Sequence, residues 1–192
     1  MCAVCPRRAA VGVRLSSGRR VSTRGLRGLR PTSGKVREAV MNILAPWLEA
    51  AVFVDLYAGT GAVGMEAMSR GAKAVYFVEA DRRKARRLRE LLSGCGCGFK
   101  AHILSMKAQS FLRQARKQGL GAQVVFADPP YFSGQLGQLL ELLCQEGVLA
   151  PEAVVLLEHH AKELPPEEVP PLRKERTYRY GDTVLSLYRK RP

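Results

Sequence analysis

The stretch Val52-Phe53-Val54-Asp55-Leu56-Tyr57-Ala58-Gly59-Thr60-Gly61-Ala62-Val63-Gly64 constrains this chain more than any other. Val52, Phe53 and Val54 form a short apolar run, β-branched and aromatic, which predicts a buried strand. Gly59-Thr60-Gly61 breaks that run, and the helix-friendly stretch from Ala62 to Met68 follows. A strand that enters a glycine turn and leaves as a helix brings backbone N–H groups up to a ligand.

Spacing alone leaves the chemistry open. Gly59, Gly61 and Gly64 satisfy G-x-G-x-x-G, and Glu79 stands 20 residues beyond Gly59, where a dinucleotide site keeps the acid that holds a ribose. Asp55 makes a second pattern, D-x-x-x-G-x-G, which resembles the first motif of S-adenosylmethionine-dependent methyltransferases. There the turn cradles the amino-acid end of a cofactor that has no pyrophosphate. A strand-to-helix turn with no ligand is the remaining reading.

The surrounding pattern predicts one α/β domain. Val36, Val40, Ile43, Leu44 and Trp47 recur at helical spacing after a start at Thr32 or Ser33, and Pro46 is expected to end or bend that helix. After the opening strand and the helix closed by Gly71, further strands are expected at 74–79, 101–104, 124–127 and 153–157. Helices are expected at 82–92, 106–118 and 135–144. Strands alternating with helices indicate a doubly wound, mostly parallel sheet. Residues 174–180 and 183–189, separated by Gly181-Asp182, then predict an antiparallel C-terminal hairpin.

Asp128-Pro129-Pro130-Tyr131 follows a hydrophobic strand about 70 residues after Asp55. In an open α/β sheet ligands bind outside the carboxyl ends of the strands, beside the point where strand order reverses. Asp55, the Gly59–Gly61 turn and Asp128 are therefore expected to converge. A planar exocyclic amine is a poor nucleophile because its lone pair is delocalised into the ring. Acceptors for its N–H groups, here Asp128 and the Pro129 carbonyl, favour a pyramidal nitrogen with its lone pair directed at a methyl group. The prolines stiffen this loop, and Tyr131 can stack on a base. The chain has no Pro-Cys pair of the kind that presents the nucleophile for base-carbon methylation.

From Arg30 to Arg189 the chain resembles the bacterial small-subunit ribosomal RNA guanine-N2 methyltransferases, which act on 16S rRNA. The likeness rests on Arg30-Pro31-Thr32 with Arg37-Glu38, the Asp55–Gly64 motif, Ser69-Arg70-Gly71-Ala72, Glu79, Asp128–Tyr131, Glu158-His159 and Tyr180-Gly181-Asp182-Thr183. It implies a seven-stranded Rossmann-like class I methyltransferase sheet over residues 31–192, preceded by a small basic arm or hairpin at 1–30. It also implies methyl transfer from S-adenosylmethionine to guanine N2 by a cytoplasmic monomer, with ribosomal RNA or the assembling small subunit as partner. Asp55, Tyr57, Gly59, Thr60 and Gly61, with Thr32 nearby, would hold the methionine end of the cofactor. Glu79 and Ala80 would meet the ribose, and Asp128 would lie between cofactor and base. Asp128, Pro129, Pro130 and Tyr131 would take the target base. Where the family usually has an acid near the adenine, this chain has Met106-Lys107-Ala108, so Lys107 and Ala108 occupy that end. An N6-adenine methyltransferase using the same type of loop is the alternative, as is an inactive RNA-binding protein of this fold.

Charge and cysteine usage agree with a nucleic-acid partner in a reducing compartment. Residues 1–37 hold nine Arg, one Lys and no acid, most of the formal +14. Such an arm can displace counterions from phosphates, and Arg19, Arg20, Arg24, Arg27, Arg30 and Arg37 are its candidate RNA contacts. A solvated tail or a transit peptide is the other reading. The five cysteines are odd in number, against a disulfide framework. Cys2-x-x-Cys5 with Cys95-x-Cys97 is spaced poorly for zinc, so free thiols and no metal are expected. His159 and His160, adjacent on a strand, point to opposite faces and make poor co-ligands. No apolar run approaches the roughly twenty residues of a membrane-spanning helix.

Overall fold

The structure, a computed structural model, describes residues 12–14, 20–22, 34–93 and 101–191. Two short strands, β1 (Gly12–Arg14) and β2 (Arg20–Ser22), pair antiparallel as a separate ladder. The rest forms one eight-stranded sheet with helices on both faces.

In chain order the body runs through α1 (Gly34–Leu44), β3 (Val52–Leu56), α2 (Ala62–Ser69), β4 (Ala74–Val78), α3 (Arg82–Ser93) and β5 (Ala101–Leu104). It continues with α4 (Ala108–Lys117), β6 (Ala122–Ala127), α5 (Leu136–Gln145), β7 (Leu149–His160), β8 (Glu168–Val169), β9 (Leu172–Tyr180) and β10 (Thr183–Lys190). The sheet order is β5-β4-β3-β6-β7-β10-β9-β8. The first five of these are parallel and the last three antiparallel, as the sequence pattern predicts. Strand order reverses between β3 and β6, which places the crevice at their carboxyl ends.

Strand periodicity sorts side chains between two cores. Phe53 faces α1, α2 and α3 together with Phe77 and Phe126, whereas Val54 and Leu56 face α4 and α5. All five are fully buried or nearly so, and each such side chain contributes roughly 1.5–3 kcal/mol relative to exposure. Asp55 falls on the face of Phe53, so a carboxylate enters an apolar layer. Gly64 lets α2 close onto the sheet, because a Cβ there would lie 2.3 Å from Phe77 Cε1.

Several boundaries differ from the expected ones. α1 is described from Gly34, so a cap at Thr32 or Ser33 lies outside the described residues, as does the junction at 30/31. It stops at Leu44, and Pro46 sits in a 3-10 turn, Ala45–Trp47, as a proline lacking its N–H requires. β7 spans twelve residues rather than five and carries a register shift in its early half. Ala122 of β6 pairs with Leu149 and Val124 with Val154, leaving a bulge around Glu152, whose φ is +59°. Pro151 in that bulge hid the early half of the strand from its pattern. β8, only two residues long, is added at the sheet edge.

Cys2, Cys5, Cys95 and Cys97 lie outside the described residues. Cys144 is a half-buried free thiol, pushed up in pKa by burial. Among the described residues no group of three or more His, Cys, Asp or Glu is placed to hold a metal, and no helix is long and apolar enough to cross a membrane. On α3 the arginines are exposed, and Arg86 and Arg87 pair with Glu90.

Candidate functional site

A cleft of about 1000 Å³ opens at the carboxyl ends of β3, β4 and β6. Tyr57, Gly59, Thr60, Ala80, Lys107 and Ala108 line it, together with Asp55, Glu79 and the whole Asp128–Tyr131 loop. Gly61, inside the turn, is not part of the lining.

The turn after β3 is built by two carboxylates. Asp55 is 2% exposed, and its Oδ2 accepts the Gly64 N–H at 3.0 Å, which caps the first turn of α2 from the strand below. Glu79, at the end of β4, accepts the Gly59 N–H at 2.9 Å through Oε2 and the Asp81 N–H at 2.8 Å through Oε1. One side chain thus ties the glycine turn to the start of α3. Gly59 and Gly61 have φ of +53° and +72°, the left-handed region that glycine adopts freely. A Cβ on Gly61 would also lie 2.4 Å from Leu88 Cδ1, so α3 closes directly over the turn.

Charge distinguishes this cleft from the rest of the molecule. Asp55, Glu79, Asp128, Glu158 and Asp182 line it, against Lys84 and Lys107, in a protein of net charge +14. Such a site favours a cation and disfavours a pyrophosphate. Burial pushes the Asp55 carboxyl up to about 7, and the negative charges of Asp128 and Glu79 add to this. The Gly64 N–H opposes the shift.

That shift has a consequence for stability. The folded protein holds the Asp55 proton more tightly than the unfolded chain, so its contribution is fully present below the ordinary carboxylate value of 3.8. It is lost as pH rises toward about 7. The loss is at most roughly 4 kcal/mol on this shift. Asp55→Asn keeps an acceptor for the Gly64 N–H but cannot ionise. Denaturant melts of the ligand-free protein are expected to give the two proteins similar stability near pH 4 and the variant an advantage that grows as pH rises to 8. Parallel pH profiles would contradict the assignment.

The Asp128–Tyr131 loop leaves β6 beside Asp55. The Tyr131 hydroxyl and Thr183 Oγ1 are 3.2 Å apart, linking this loop to the β9–β10 turn. Thr183 pairs with His160, so the antiparallel register carries the hairpin turn to the same edge as the parallel strands' carboxyl ends. Tyr180, Asp182 and Thr183 consequently line the cleft. Gln109, on the first turn of α4, does so beside Lys107. Neither group was assigned a role from sequence. Tyr180–Thr183 is marked in the sequence as a hairpin turn but its register against β7 is not, and a lone glutamine gives no signal.

The two histidines separate as strand geometry requires. His159 is buried, with Nε2 at 2.9 Å from Ser186 Oγ, and burial pushes its pKa down. His160 lies at the rim against Tyr131 and Phe132.

Not all expected contacts are brought to the cleft. Arg37 is half-buried on α1, next to the cleft-lining Val36, but does not line the cleft itself. Arg20 is on β2, its side chain outside the described residues, as are Arg19, Arg24, Arg27, Arg30 and Thr32 entirely.

Comparison with known proteins agrees with the fold. The family model described as Conserved hypothetical protein 95 matches residues 14–189. Ribosomal RNA small subunit methyltransferase D of Escherichia coli K12 is 38% identical over 141 residues, 73% of this chain and 69% of the relative. The Haemophilus influenzae protein of the same name is 35% identical over 142 residues, 73% of each chain. The solved structure of Escherichia coli yhhF superposes with a TM-score of 0.80 at 33% identity, covering 94% of this chain and 96% of that one. The chain belongs to the Conserved hypothetical protein 95 family, together with relatives named ribosomal RNA small subunit methyltransferase D.

Proposed function

We propose that the protein transfers a methyl group from S-adenosylmethionine to the exocyclic N2 of a guanine in small-subunit ribosomal RNA. The observation that carries this reading is the meeting of an acidic cofactor-sized cleft with the Asp128-Pro129-Pro130-Tyr131 loop at one edge of the sheet. The names of the relatives support the ribosomal RNA substrate.

The residues present suit the cofactor. It carries an ammonium and a sulfonium, which the cluster of Asp55, Glu79 and Asp128 would compensate, and this would return Asp55 to its ionised form. Asp55 and the turn at Tyr57, Gly59, Thr60 and Gly61 would take the amino-acid end, with Thr32 as a further contact. Glu79 and Ala80 would meet the ribose, and Lys107, Ala108 and Gln109 the adenine. When bound, S-adenosylmethionine supplies a methyl group already activated by its positive sulfur, so neither a metal nor a covalent enzyme adduct is needed.

This chain's own residues supply orientation and proton acceptance. The Watson–Crick edge of guanine places two donors side by side, N1–H and N2–H. A carboxylate accepts both at once, which favours guanine over adenine, whose edge pairs a donor with an acceptor. Asp128 would hold that edge, with the Pro129 carbonyl taking the second N2–H, and the stiff prolines keep both acceptors in place. Tyr131, fixed by Thr183, would stack on the base. As the nitrogen gains a bond it loses a proton, and the adjacent Asp128 carboxylate is its first acceptor.

RNA would be gripped through phosphate contacts from Arg19, Arg20, Arg24, Arg27, Arg30 and Arg37. The ribosomal RNA substrate of this reading supports a cytoplasmic enzyme, acting as a monomer. Incubation with tritiated S-adenosylmethionine and undermethylated small subunits is expected to label N2-methylguanosine. Label confined to adenine would overturn the guanine assignment.

A further inference from the structure

We propose that Phe132, supported by His160, is a stacking shelf for the nucleotide that flanks the target guanine. This rests on the ribosomal RNA methyltransferase reading above.

Phe132 is 63% exposed although it directly follows the Asp128–Tyr131 loop. It does not line the cleft, whereas Tyr131 does. Its ring lies 4.8 Å from that of His160, tilted by 47°, and 6.4 Å from that of Tyr131 at 80°. Two nearly perpendicular rings cannot stack on one planar base. Tyr131 serves the base inside the cleft, and Phe132 presents a second face at its mouth.

The backbone holds Phe132 there against its preference. Its φ is +57°, a region in which a bulky residue is an outlier and glycine is at ease. Glu163 fixes this conformation: Oε1 accepts the Phe132 N–H at 3.0 Å and Oε2 the His160 N–H at 3.1 Å. One carboxylate therefore positions both members of the shelf. Beyond these two ring contacts, an aromatic 63% exposed in a backbone suited to glycine points to a partner outside the free protein.

A ligand of matching chemistry is at hand. An enzyme that extrudes a base from its stack breaks the contact between that base and its neighbour, and the neighbour's face is then open. An aromatic surface beside the extruded base restores stacking without reading sequence. Phe132 is placed for that neighbour, and His160 backs its ring.

Phe132→Gly tests this without threatening the fold, since glycine accepts the backbone. Phe132→Trp in a Trp47→Phe background restores an aromatic face and reports on it by fluorescence. Transfer to undermethylated small subunits and binding of protein-free small-subunit rRNA are measured for each. The glycine variant is expected to raise both KM for particles and Kd for free RNA on the order of ten- to a hundredfold. Its kcat, its S-adenosylmethionine affinity and its thermal midpoint are expected to hold. The tryptophan variant should recover affinity and be quenched by RNA. Unchanged KM and Kd in the glycine variant, with the wild type still methylating rRNA, would overturn the shelf alone. A rise in KM for particles with unchanged Kd for free RNA would mean that the ring docks on a ribosomal protein, which also overturns it. A wild type that binds S-adenosylmethionine yet never labels rRNA would overturn the functional reading, and the shelf with it.

Discussion

Asp128→Ala is expected to lower kcat for methyl transfer by about 10²–10³-fold, the range found when a preorganised polar group at the reacting atom is removed. In the proposed mechanism its carboxylate holds the guanine edge and receives the proton that leaves N2. Alanine supplies neither function, and water entering the gap is not fixed. Affinity for S-adenosylmethionine should change little by comparison, because Asp55 and Glu79 remain. One side effect gives an independent check. Asp128 is among the charges that push Asp55 upward, so the variant should shift the pH dependence of ligand-free stability toward lower pH. Single-turnover transfer together with calorimetric titration of the cofactor separates the two effects. A variant with wild-type kcat would remove Asp128 from the chemistry.

Glu79→Ala is expected to show the opposite split. Glu79 holds the Gly59 and Asp81 N–H groups, and it is the residue proposed to meet the ribose hydroxyls. Hydrogen bonds to a charged group contribute about 1.5–3 kcal/mol each, so losing the ribose contact and the clamp should raise Kd for S-adenosylmethionine on the order of a hundredfold. At saturating cofactor kcat should stay within a few-fold of wild type, because the Asp128–Tyr131 loop leaves a different strand. Cofactor titration by calorimetry, followed by kinetics at saturation, checks this. An unchanged Kd would show that Glu79 serves only the turn.

Most of the parallel half of the fold was legible in the chain. Val52–Val54 is apolar enough to be a buried strand, the glycines mark its turn, and Asp55 and Glu79 sit at fixed distances from them. The structure brings both to the cleft, where Glu79 holds the glycine turn and Asp55 the start of α2. Asp128–Tyr131 was equally legible, since two prolines after an apolar strand admit few conformations.

What the sequence did not disclose depends on tertiary register. The early half of β7 contains Pro151 and a bulge, so no alternating pattern marks it. Tyr180-Gly181-Asp182-Thr183 reads as a hairpin turn, but only its pairing with β7 shows that the turn overlies the cleft. Glu163 lies in a proline-rich loop far along the chain, with nothing to announce its bond to Phe132. Lys107 and Gln109 both line the cleft at the start of α4, and no local rule marks either for a ligand.

Methylation of guanine N2 in small-subunit ribosomal RNA at this cleft would leave its record in the RNA of the cell. Mass-spectrometric mapping of that RNA from cells with and without the protein tests it most directly. One N2-methylguanosine is expected to disappear without the protein, to return with the wild type and not to return with Asp128→Ala. Loss of a methyladenosine instead, or an rRNA methylation map that is the same in both strains, would contradict it.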